Sequence, residues 1–105
     1  MFGPKEVTVH EAHEALGTDK HCLIDVRTHD EVAGGAVPGS LHIPLDRLEA
    51  HVDKLKDFDS IHVMCRSGGR SSIATDILHK MGMKQAINVR GGMLAWQAAK
   101  LPVTQ

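Results

Sequence analysis

Aromatic residues are scarce in this chain. Its 105 positions hold one tryptophan, two phenylalanines and no tyrosine, so a core must be built from aliphatic side chains and methionine. Cysteine is scarce too, at Cys22 and Cys65 only. Two thiols allow one bridge at most, which excludes a disulfide-stapled scaffold and makes a reduced, cytoplasmic protein the expectation. No apolar run approaches the ~20 residues of a membrane span. The segment Met1-Phe2-Gly3-Pro4-Lys5-Glu6 has no basic stretch leading into an apolar core, so no secretory signal is expected. An excess of one charge is also missing. Lys and Arg number 12 against 13 Asp and Glu, which argues against nonspecific binding to nucleic acid or a membrane surface.

What is present suits one globular domain over residues 1–105. The apolar fraction is 42%, and a chain of this length can bury roughly two-thirds of its unfolded surface. Extended and helical patterns alternate between regular turn signals. Val7-Thr8-Val9 reads as a short strand. Thr8 and Glu11 have capping-box spacing for a helix through Ala12, Ala15 and Leu16 that stops at Gly17. Cys22 to Val26 is an apolar run of strand length. Thr28 and Glu31 repeat the capping box for a brief helix ended by Gly34-Gly35. Val37-Pro38-Gly39-Ser40 is a turn, Leu41-His42-Ile43 a short strand, and Pro44 suits the first turn of a helix bearing Leu45, Leu48, Val52 and Leu55. Ile61 to Met64 and Ala86 to Val89 are further strands. A helix ending near Gly82 lies between them, and Gly91-Gly92 opens a last helix stopped by Pro102. The alternation implies an α/β fold, a small parallel sheet of about five strands with helices on both faces. In such sheets ligands bind beyond the carboxyl ends of the strands.

Cys65 stands at one of those ends, in Cys65-Arg66-Ser67-Gly68-Gly69-Arg70-Ser71, between a strand and a helix. The thiolate is the reactive form of cysteine. Arg66 and Arg70 bring positive charge, the helix offers unpaired N–H groups, and Gly68-Gly69 let successive N–H groups curl inward as an anion nest. All three favour the thiolate without a general base. Cys22, in an apolar strand without such neighbours, reads as a small core residue.

The loop resembles the active-site loop of the rhodanese family, and three other segments agree in order. Leu23-Ile24-Asp25-Val26-Arg27, followed by Glu31, resembles the family's early Asp-Val-Arg segment. Gly35-Ala36-Val37-Pro38-Gly39-Ser40-Leu41-His42-Ile43-Pro44 resembles its Gly-His-Ile-Pro-Gly-Ala stretch, with Ala36 where the family often has histidine. Asn88-Val89-Arg90-Gly91-Gly92-Met93-Leu94-Ala95-Trp96 resembles its closing Gly-Gly…Trp segment. The resemblance covers about Val7 to Pro102 and implies a single-domain sulfurtransferase of the thiosulfate sulfurtransferase type. Cys65 would take the outer sulfur of thiosulfate or a persulfide donor, become a persulfide, and pass that sulfur to cyanide, a thiol or a protein. The N–H groups of Arg66, Ser67, Gly68, Gly69 and Arg70 would line the pocket floor, with Ser71 closing the loop and Arg70 adding charge for the anionic donor. Asp25 and Arg27 are expected to be a structural ion pair first and supporting pocket residues second. Trp96 and Gly91-Gly92 are expected to be packing elements.

Two other functions compete. A regulatory interaction module of this family would commonly lack the cysteine, which is retained; a sulfur carrier that hands its sulfur to a partner would keep it. Phosphatases and arsenate reductases of similar build use a Cys-x5-Arg loop, wide enough for a tetrahedral oxyanion. Here four residues separate Cys65 from Arg70, and Met64 precedes the cysteine, so the loop is one residue short. The eight histidines offer no metal site. His10-Glu11-Ala12-His13-Glu14 imitates a zinc helix, but that chemistry needs histidine four positions after the first, and Glu14 stands there. His21, His29, His42, His51, His62 and His79 show no ligand spacing. No metal and no cofactor are expected.

Overall fold

A computed structural model describes residues 6–104. The elements in chain order are β1 (Glu6–Val7), α1 (Val9–Ala15), β2 (His21–Asp25), α2 (His29–Ala33), β3 (Leu41–His42), a 3-10 helix (Leu45–Lys54), β4 (Ser60–Met64), α3 (Gly69–Lys80), β5 (Ala86–Val89) and α4 (Gly92–Ala98). The strands form one parallel sheet in the order β1-β5-β4-β2-β3. β4, which carries the chain into Cys65, is therefore the central strand.

The apolar strands are buried on both faces, as continuous runs in a covered parallel sheet should be. Cys22, Ile24, Ile61 and Val63 pack with Leu48 of the 3-10 helix, with Leu55 that caps it, and with Ala74 and Leu78 of α3. Leu23, Met64 and Val89 face the other way, onto Val9 and Ala12 of α1 and onto Met93 and Trp96 of α4. Fully buried leucines such as Leu48 and Leu55 contribute roughly 1.5–3 kcal/mol each. Trp96 is wholly buried, and its ring N–H donates to the Pro102 carbonyl at 2.8 Å. That bond satisfies the one polar atom of the largest core side chain.

Both capping boxes form. The Thr8 hydroxyl accepts from Glu11 N–H while the Glu11 carboxylate accepts from Thr8 N–H, and Thr28 with Glu31 does the same. Thr8 cannot be both strand and cap, so β1 ends at Val7 and Val9 is the first residue of α1. The helix after Pro44 is 3-10, not α. Leu45 with Leu48 and Val52 with Leu55 are each three apart, and in a 3-10 helix such residues lie above one another, so both pairs reach the core. The last helix stops at Ala98, before Pro102, and Lys100 takes a left-handed backbone at φ +59°.

Candidate active site

β4 delivers Cys65 to the carboxyl end of the sheet, and α3 begins four residues later. Gly68 caps that helix with φ +110°, a conformation that costs glycine little. The turn brings Gly68 N–H to 3.1 Å from Cys65 Sγ. Ser71, fully buried in the first turn of α3, donates its hydroxyl to the same sulfur at 3.3 Å. Cys65 is only 1% exposed. Burial alone would push the thiol up. The Ser71 hydroxyl and the N–H groups of Ser71, Gly68 and Ser67 outweigh it and bring Cys65 below the ordinary cysteine value. Cys22 shows the contrast. It lacks those donors, and burial pushes its thiol up to about 11.

The loop's N–H groups can face inward because its carbonyls are held from outside. Met93 N–H donates to the Cys65 carbonyl at 2.8 Å and Leu94 N–H to the Arg66 carbonyl at 3.0 Å. Both donors belong to the first turn of α4. Gly92, at φ +53°, makes this approach feasible. A β-carbon there would overlap the Cys65 carbonyl oxygen and sit 2.8 Å from that of Arg66. Sequence reasoning took Gly91-Gly92 as a turn and missed this contact. The available signal was a second Gly-Gly at a neighbouring strand end, opening a helix as Gly68-Gly69 does.

Arg70 does not turn over the cysteine. Its guanidinium makes a two-pronged bond to Glu31, with Nη1–Oε1 at 2.6 Å and Nη2–Oε2 at 2.7 Å. The bonds to Arg70 hold the Glu31 carboxyl down at about 2, against the cost of its burial, and the Thr28 N–H and hydroxyl help. Glu31 thus caps α2 and clamps α3 together. The positive charge expected for an anionic donor is largely matched by this carboxylate, so hydrogen bonds, not arginine charges, dominate the environment of the sulfur. Arg66 is exposed, and its carbonyl is the group that α4 engages.

Asp25 and Arg27 form a buried pair. Nε lies 3.0 Å from Oδ1 and Nη2 2.8 Å from Oδ2. Arg27 Nη2 also donates to the Gly35 carbonyl at 2.8 Å, and Arg27 N–H donates back to Asp25 Oδ1 at 3.1 Å. The pair ties the end of β2 to the chain after α2. Ala36, where histidine was noted as missing, is held by Thr104, with Ala36 N–H to Oγ1 at 3.0 Å and Thr104 N–H to the Ala36 carbonyl at 2.7 Å. Two clefts flank the loop. The larger, about 400 Å³, reaches Val26, Leu45, Arg47 and Arg70. The smaller, about 200 Å³, reaches Arg27, Glu31, Arg66 and Leu94. The Glu31–Arg70 pair stands between them.

A parallel sheet of this order, with a cysteine cradled by N–H groups at the end of its central strand, has known relatives. The Rhodanese-like domain family matches residues 8–99. This chain belongs to that family. A sulfurtransferase of Allochromatium vinosum is similar to this rhodanese-like chain, 33% identical over 82% of this chain and 80% of its own. The Bacillus subtilis protein YrkF is 34% identical over 87% of this chain, which spans only 50% of that longer protein. Among solved structures, a rhodanese-related protein from Thermoplasma volcanium superposes with a TM-score of 0.84 at 25% identity, covering 95% of this chain and 97% of its own. The expected fold is therefore the fold found, and the chain is a member of the rhodanese-like sulfurtransferase group.

Proposed function

We propose that this rhodanese-like domain transfers sulfane sulfur through a persulfide on Cys65, with thiosulfate or an organic persulfide as donor. The observation that carries the reading is the sulfur of Cys65, hydrogen-bonded by Gly68 N–H and the Ser71 hydroxyl in a loop one residue shorter than the Cys-x5-Arg loop that takes a tetrahedral oxyanion. In the first step the Cys65 thiolate attacks the outer sulfur of thiosulfate. A new S–S bond forms, the donor's S–S bond breaks, and sulfite leaves with the electron pair. In the second, cyanide or a thiolate attacks the terminal sulfur of the persulfide, and the pair returns to Cys65 Sγ as the thiolate. Nothing is consumed beyond donor and acceptor, and the sequence asks for no cofactor or metal. The same N–H groups that favour the thiolate would favour the anionic persulfide.

The arginine geometry also separates this reading from phosphate chemistry. A phosphatase loop needs its arginine free to grip equatorial oxygens, whereas Arg70 is committed to Glu31. The test is direct. Wild type incubated with thiosulfate and cyanide is expected to yield thiocyanate and, with donor alone, the mass of one added sulfur on Cys65, and Cys65→Ser is expected to do neither. A wild type that stays silent with every sulfane donor and gains no sulfur would sink the proposal. Cys65-dependent hydrolysis of an aryl phosphate would replace it.

A further inference from the structure

The larger cleft is oversized for thiosulfate. Its volume of about 400 Å³ lies within the roughly 300–1,000 Å³ of sites that hold organic molecules. Val26, Pro44 and Leu45 give it an apolar floor. Val26 N–H donates to the carbonyl of Met64, the residue before Cys65, at 3.0 Å, so the floor begins beside the strand end that carries the thiol. Consecutive residues Asp46 and Arg47 place one negative and one positive group on its rim. Both are exposed, and among the described residues neither forms a salt bridge. Arg70 bounds the cleft on the side of the loop, with its charge already matched by Glu31. An oxyanion would use one cation and waste the apolar floor and the carboxylate. A small hydrocarbon would leave both charges idle.

The geometry points to a zwitterionic amino-acid thiol as the sulfur acceptor, or its persulfide as the donor. Its carboxylate would meet Arg47, its ammonium Asp46, and its side-chain carbon Val26, Pro44 and Leu45, with sulfur directed at Cys65. This rests on the sulfurtransferase reading above. In the acceptor direction, the ligand's thiol first gives its proton to solvent. Its thiolate then attacks the terminal sulfur of the Cys65 persulfide. One S–S bond forms, one breaks, and Cys65 regains its thiolate while the amino acid leaves as a persulfide.

Binding and transfer test the inference separately. S-methyl-L-cysteine, which cannot transfer sulfur, is titrated into the protein while the methyl resonances of Val26 and Leu45 are followed by NMR. Those signals are expected to shift, with affinity several-fold weaker in Arg47→Ala and in Asp46→Asn. Unmoved signals, or affinity in both variants unchanged from wild type, would overturn the inference. Sulfur transfer is then compared across L-cysteine, cysteamine, which lacks the carboxylate, and 3-mercaptopropionate, which lacks the ammonium. Arg47→Ala is expected to reduce the preference for cysteine over cysteamine roughly tenfold, and Asp46→Asn that over 3-mercaptopropionate by a similar factor. Preferences that survive both substitutions would overturn it while transfer to cyanide still stood. Binding at Val26 and Leu45 without any Cys65-dependent transfer would support the cleft and overturn the sulfurtransferase reading instead.

Discussion

Cys22 and Cys65 are both buried and both free, and they share one apolar cluster. What separates them is the supply of donors. Cys22 lies within a strand whose N–H groups serve the sheet, and burial raises its thiol. Cys65 lies one residue past a strand end, where Gly68 N–H and the Ser71 hydroxyl are available to the sulfur. Removing one donor therefore has a defined sign. Ser71→Ala should move the midpoint of Cys65 alkylation by iodoacetamide upward by roughly one pH unit, since a hydrogen bond to a charged group is worth about 1.5–3 kcal/mol and part of that is recovered by water. An unchanged midpoint would mean that the backbone donors act alone. Ser71 was counted from the sequence among the substrate-binding residues. Wholly buried beneath the sulfur, it is placed to tune the thiol, and burial at one position is a tertiary fact that no local pattern carries.

At the scale of elements, the loop is held from two sides. α3 supplies inward donors, and α4 fixes the outward carbonyls of Cys65 and Arg66. Gly92→Ala should disrupt the second contact, because its β-carbon has no room against those carbonyls. Gly17→Ala is a matched control. Gly17 also has positive φ, at +81°, but nothing lies within 4 Å of a β-carbon there. Both substitutions should cost about 1 kcal/mol of backbone strain, with Gly92→Ala costing more. Only Gly92→Ala should also lower sulfur transfer, by about tenfold or more, and raise the alkylation midpoint of Cys65. Equal kinetic effects from the two variants would refute the assignment of Gly92 to positioning. The elements themselves were largely legible in sequence. Two capping boxes, four glycine or proline stops and apolar runs of strand length marked most of them within a residue or two, the end of the last helix excepted, which falls at Ala98, well before Pro102. The winding of the Leu45–Lys54 helix was legible only as a spacing of three within its apolar pairs. The Glu31–Arg70 clamp was not legible, because its partners are 39 positions apart and each made local sense alone, as a helix cap and as a loop cation.

The whole molecule carries a separate liability across the sheet. His62 on β4 is buried and meets His21 of β2, with Nδ1 to Nε2 at 3.0 Å. Burial first, and the neighbouring His21 second, push His62 down to about 4, while Glu11 pulls it slightly back. His62 therefore stays neutral in the folded protein at pH values where the unfolded chain takes up a proton. Stability should be complete above about pH 6.5 and fall as the pH drops toward 4, by roughly 3 kcal/mol at most. Glu31 adds to that slope only at its lower end: its carboxyl stays ionised to about 2 when folded, so the share it contributes starts to be lost as the unfolded chain protonates near 4.5 and is gone only in stronger acid. Urea denaturation midpoints at pH 7, 5.5 and 4.5 measure the effect, and His62→Asn should flatten the trend. A profile equally steep in the variant would place the acid sensitivity elsewhere.

The bonds from Met93 and Leu94 to the cysteine loop have a consequence in time. A chain made from its amino end contains Cys65 well before Gly92 to Ala98. While that last helix is still missing, the carbonyls of Cys65 and Arg66 lack the partners that hold them outward, and the loop that brings Ser67 and Gly68 N–H to the sulfur is fixed from one side only. Until then the thiol of the growing polypeptide should be less strongly tuned than that of the finished fold. The last helix to be made thus completes the hold on the loop on which the reactivity of Cys65 depends.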